Sequence, residues 1–143
     1  MPYELKPLAC DPAKLSGLSE KLIVSHWENN YGAAVKSLNA IERDFGGLDA
    51  WRAEFTAMGM GGGSGWTLLA WSPRRNRLVN ARAADHAHNL AGATPLIALD
   101  MYEYSYHMDF VAKAGANVDA FMQNLFCTAA EVTFNAAYTK PGA

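Results

Sequence analysis

The sequence has 143 residues with 12 basic and 14 acidic side chains, a formal net charge of −2, and a hydrophobic half in which 25 alanines stand against 29 Leu, Ile, Val and Phe. The charge balance excludes a polycationic nucleic-acid surface, and apolar runs of only a handful of residues exclude a membrane-spanning helix. One compact domain over 1–143 is the natural count; its core is thin in large aliphatics and takes its bulk from six Phe, six Tyr, four Trp and six Met.

In chain order, the first thirteen residues, with Pro2, Pro7 and Pro12, read as an irregular arm. They lack the basic-then-apolar pattern of a secretory leader. Cys10 and Cys127 have neither metal-like spacing nor disulfide density, and fit reduced thiols in a cytoplasmic protein. Ser19 is an N-cap for a helix over 22–39, whose apolar stripe is Ile23, Trp27, Ala34 and Leu38. Phe45-Gly46-Gly47 ends that region, and a shorter helix entered through Asp49 carries Trp51, Phe55 and Met58. The run Gly61-Gly62-Gly63-Ser64-Gly65 cannot stay helical. It has no following Lys-Ser/Thr and leads into a strand, which argues against a phosphate loop and for a close-packed turn.

Trp66 to Trp71 reads as a buried strand, 72–76 as a turn, and the alternation from Arg77 to Ala83 completes a hairpin. After a polar loop over 85–89, Thr94 to Leu99 forms a third strand. Helical spacing resumes after Asp100 through Met108, Asn117 caps a helix through Leu125, and Thr128-Ala129-Ala130-Glu131 is a capping box for a last helix to Tyr138. Helices, then three strands, then helices predict an α+β fold with a small three-stranded antiparallel sheet. The chain divides into a helical part, 1–44, and an α/β part, 45–143.

Four histidines carry the chemistry. His26 sits mid-helix beside apolar positions, and Asp85, His86 and His88 form an Asp-His-x-His loop whose extended form points both rings one way. If the helix runs through Asp100, Tyr104 and His107 share its face one and two turns on. Imidazoles with a carboxylate are a donor set for iron, manganese or zinc.

Gly63-Ser64-Gly65-Trp66, Thr94-Pro95-Leu96 and Asp100-Met101-Tyr102-Glu103-Tyr104-Ser105-Tyr106 resemble the iron/manganese superoxide dismutase family, with its Gly-Ser-Gly-Trp and its Asp-x-Trp-Glu-His-Ala-Tyr signature. The helix bearing His26 and closing on Val35-x-x-Leu38-Asn39 resembles the family's first helix, so the likeness covers nearly the whole chain. It implies a dismutase-like α+β fold without the family's second long helix, because the chain passes directly from Asn39 to Phe45. It implies an oxidoreductase in which iron or manganese, held by three histidines and an aspartate, converts superoxide to O2 and hydrogen peroxide. His26 and Asp100 match two ligands. The histidine of the missing helix has no counterpart, the last falls on Tyr104, the gateway tyrosine falls on Ala34, and a neighbouring histidine falls on Asn30. A rewired metal site would use His26, Asp100, His86 or His88, and either Tyr104 or His107, with Asp100 and Tyr104 as catalytic residues. Glu103 is retained and, by the resemblance, stands at a dimer interface, making a homodimer the expected assembly. The competing expectation is a non-catalytic homologue that serves as a homodimeric scaffold or binding module.

Overall fold

A computed structural model describes residues 2–138. After a short 3-10 turn at Pro12–Lys14, helix α1 (Glu20–Ser25) opens on Ser19, whose hydroxyl accepts the Leu22 amide at 3.2 Å. A π-helical turn, His26–Tyr31, interrupts the helix before α2 (Gly32–Phe45) resumes it. The helix therefore runs past the expected Asn39, because Ile41 and Phe45 extend the stripe of Leu38 at helical spacing and pack on the core. Gly46, at φ 82°, closes α2 in the left-handed conformation, and only Gly46 and Gly47 separate α2 from α3 (Leu48–Gly61). No helix stands between them.

Three antiparallel strands follow, β1 (Trp66–Ser72), β2 (Arg77–Ala83) and β3 (Thr94–Asp100), in the order β2-β1-β3. The α+β architecture is the one the sequence predicts. Central β1 aligns Trp66 with both Ala83 and Asp100, and a bulge at Leu69/Ala70 offsets its pairing with β3. Pro95, which cannot donate to a ladder, lies on edge strand β3. At the sheet's entry Gly65 has φ 130°, its carbonyl accepts the Met101 amide at 2.8 Å, and a Cβ there would stand 2.5 Å from the Ala83 carbonyl. Only glycine fits so close an approach of two strand ends.

Helices α4 (Glu103–Phe110), α5 (Ala114–Gln123) and α6 (Thr128–Tyr138) complete the chain. Three expectations change here. The helix after β3 starts at Glu103, not Asp100, because Met101 is buried and Tyr102 is extended. Asn117 lies within α5, not at its cap, because its amide reaches the Asp100 carbonyl at 3.2 Å. Thr128 is already helical in α6, so it does not cap that helix.

The core joins Trp51 and Phe55 of α3, Leu69 and Trp71 of β1, Leu99 of β3, Val118 of α5 and Phe134 of α6. Trp51 meets Phe55 at 5.4 Å between ring centroids, and Trp71 meets Phe134 edge-on at 5.5 Å. Burial of such rings stabilises the layer of helices on the sheet more than aliphatic contacts alone would. No helix among the described residues is long and apolar enough to cross a membrane.

Candidate functional site

The sheet register dictates where chemistry gathers. Because Trp66 lies opposite both Ala83 and Asp100, the loop leaving β2 and the turn leaving β3 meet at one end of the sheet. There the Trp66 indole donates to His86 Nδ1 at 3.0 Å. With Nδ1 accepting, the neutral imidazole carries its proton on Nε2, which faces the Tyr104 hydroxyl at 3.5 Å. The Tyr102 ring stacks between His86, at 4.7 Å, and Tyr104, at 5.5 Å, and its hydroxyl donates to the Ala84 carbonyl.

Asp100 is half-buried at the end of β3. One carboxylate oxygen accepts the Tyr102 amide at 2.8 Å, which turns the chain into α4, and its carbonyl accepts from Ser105 and Asn117. Desolvation of the Tyr104 hydroxyl, then the Asp100 charge, hold that phenol above its ordinary value. Tyr104 thus stays protonated at neutral pH although its ring is 65% exposed. The arrangement can hold a proton at the Tyr104 oxygen between an imidazole N–H and a carboxylate. It offers no deprotonated phenolate of its own.

Of the predicted site residues, the structure brings together Asp100, Tyr104 and His86. His88 turns away: Asp85 accepts the amides of Ala87 and His88, curling the loop so that the His88 ring returns to Asp85 at 2.7 Å. The loop is a turn, not an extended segment, so the two rings do not point one way. His107 and Glu103 pair along α4 at 3.2 Å, both exposed. His26 is exposed in the π-helical turn, bonded to Asn30 at 3.2 Å. The principal neighbours of that turn are α1 and α2, its own helix. Trp66, which the sequence offers as the start of a strand, and Tyr102, which it offers within the family signature, are central to the cluster. The signal that locates them is the hairpin register, which seats Trp66 beside Ala83 and brings His86, three residues further on, within reach.

Among the described residues no group of three or more His, Cys, Asp or Glu side chains that could hold an ion comes together. The lone pair of His86 Nδ1 and one Asp100 oxygen are already engaged by the Trp66 indole and the Tyr102 amide.

Comparison with known proteins gives the wider setting. The sequence model of the C-terminal domain of iron/manganese superoxide dismutases matches residues 33–132. The iron superoxide dismutase of Cupriavidus metallidurans is 50% identical over an alignment of 194 residues that spans 96% of this chain and 98% of that protein. That alignment exceeds the 143 residues of this chain, so the relative contains internal sequence that this chain lacks. A manganese superoxide dismutase of Haloarcula marismortui is 35% identical over 76% of this chain and 56% of its own length. One from Halobacterium salinarum is 40% identical over 58% of this chain and 42% of its own. The chain therefore spans about half the length of these two manganese relatives.

Proposed function

The chain belongs to the iron/manganese superoxide dismutase family, and on that premise we propose that it acts on superoxide, converting it to O2 and hydrogen peroxide with iron or manganese at an altered site around Asp100. The observation that carries this reading is the 50% identity to an iron superoxide dismutase across 98% of that protein's length. The proposed ligands are His26 and Asp100, joined by His86 or His88 and by Tyr104 or His107. Asp100 and Tyr104 are the proposed catalytic pair. Glu103 belongs to a proposed homodimer surface, and the proposed location is the cytoplasm.

The side chains as they stand do not fit such an ion. His26 lies on its own helix, and Asp100 faces a protonated phenol where the family pattern has an imidazole. What this chain's own residues do is narrower. Trp66 fixes the His86 tautomer, Tyr102 stacks between the His86 and Tyr104 rings, and Tyr104 presents a protonated oxygen beside Asp100. The same misfit favours a second reading, a non-catalytic homologue that keeps the scaffold as a homodimer or binding module.

Metal content by mass spectrometry, on protein expressed with iron and manganese supplied, separates the two when followed by a superoxide assay. The dismutase reading expects near-stoichiometric metal, lost in His26→Ala, together with activity. Less than about a tenth of an equivalent and no activity rejects it in favour of the scaffold.

A further inference from the structure

A hollow of about 540 Å3 opens between the N-terminal arm, α2 and α6. One wall is a stripe of α2 in which Val35, Lys36, Asn39 and Arg43 recur at helical spacing. Leu5 of the arm and Tyr138 of α6 line the other sides. The arm is held there as a strap. The Tyr3 amide donates to Asn39 Oδ1 at 2.6 Å, and Asn39 Nδ2 returns to the Tyr3 carbonyl at 2.9 Å. The Trp27 indole donates to the Lys6 carbonyl at 2.8 Å. Backbone groups on both sides of Leu5 are thus satisfied by side chains of the helix beneath, which fixes Leu5 as a wall.

Two cations converge on one ring. Lys36 Nζ stands 4.4 Å from the centroid of Tyr138. The Asp44 carboxylate first, and the Tyr138 hydroxyl as well, hold the Arg43 guanidinium above its ordinary value. Nε and Nη2 of Arg43 are engaged by Asp44, and Nη1 is outside that pair. Among the described residues that line the hollow there is no acid. A second hollow, about 280 Å3 among α2, α3 and α6, has the reverse character: its described lining holds one acid, Glu131, and no cation. Cavities of roughly 300–1,000 Å3, mostly apolar with a few polar groups that set orientation, suit small ligands. The larger hollow has that size, and its polar groups are of one sign.

We propose that the hollow between the arm, α2 and α6 binds a medium-chain carboxylate, with its head group between Lys36 and Arg43 and its alkyl chain along Val35 and Leu5. A carboxylate accepts from an ammonium and a guanidinium at once, and such charge-assisted bonds are the strong ones. The alkyl chain leaves water for an apolar wall. A neutral alcohol of the same length gains only the second effect, and acetate only the first.

Isothermal titration calorimetry of the full chain with octanoate, octanol and acetate tests this. Octanoate should bind with a Kd below about 1 mM, and octanol and acetate at least about tenfold more weakly. Lys36→Gln should weaken octanoate about tenfold, and Lys36→Arg should restore it to within about threefold. In NMR spectra of the unaltered chain, the Asn39 side-chain amide and the Tyr138 signals should move as octanoate is added. The proposal is overturned if octanoate does not bind, if octanol binds as tightly, or if Lys36→Gln leaves the affinity unchanged. It is also overturned if the moving signals are those of Cys127 and Ala130, which line the second hollow. These readouts involve neither metal nor superoxide, so the carboxylate site and the dismutase reading fail separately.

Discussion

A tautomer is set by one contact at the sheet end. The Trp66 indole has a single proton to give and gives it to His86 Nδ1, which leaves the proton of the neutral ring on Nε2, facing Tyr104. Nitrogen-detected NMR should therefore find His86 in its neutral form as the Nε2–H tautomer. Trp66→Phe should bring the Nδ1–H form into the population, and a spectrum unchanged by that substitution would refute the assignment. A second residue-scale effect concerns Cys127. Burial, then the Glu131 charge, push its thiol above the ordinary 9.0, and the thiolate is the reactive form. A thiol favoured as neutral in the folded chain contributes stability below its unfolded value, which is lost as pH rises through the folded one. In a Cys10→Ser background, Glu131→Gln should accelerate alkylation of Cys127 and move its pH profile downward. An unmoved profile would mean that Glu131 has no part in the shift.

At the scale of elements, the end of α2 clamps the edge of the sheet. The Asp44 side chain is only 5% exposed; it accepts from Arg43 through two nitrogens at 2.7 Å and from the Leu78 amide at 2.7 Å. The Leu78 N–H points away from β1, so Asp44 occupies an edge donor that would otherwise be free to pair with another strand. Its carbonyl also receives Arg77. Asp44→Ala leaves that amide without an acceptor and should cost about 1–3 kcal/mol in urea unfolding. A loss under about 0.5 kcal/mol would place Asp44 with ordinary surface positions. The clamp was not legible in the sequence, because it joins residues 34 apart through a helix end read as stopping at Asn39. The strands were legible, since the apolar run of β1 and the alternation of β2 are decided locally. Elements whose ends are set by distant contacts were not. Asn117 has a capping side chain but serves the Asp100 carbonyl, and Asp100 has helical spacing to Tyr104 but ends a strand because Met101 is drawn into the core. Of the candidate site, Asp100, Tyr104 and His86 were readable as chemistry. Their aromatic frame, Trp66 and Tyr102, was not, because it depends on register.

For the whole molecule, a thin core leaves large apolar side chains on the surface. With 25 alanines and only two glycines between α2 and α3, the chain packs helices on a sheet and leaves a hollow among them, and its exposed side chains include Leu48, Met108 and Phe126. In the proposed homodimer association obeys mass action: a species that binds only the folded state raises the melting point as its concentration rises. In that homodimer the species is the chain itself. A tenfold dilution should remove about 1.4 kcal/mol per dimer, a fall in Tm of a few degrees for a chain of this length. Differential scanning calorimetry over a concentration series measures it directly. In Glu103→Lys the dependence should shrink and Tm should drop toward the dilute limit, because the proposed homodimer surface is disrupted while the monomer's own core is untouched. A Tm that is flat with concentration in the unaltered chain would refute the homodimer and mean that the folded monomer bears the cost of its exposed apolar side chains alone.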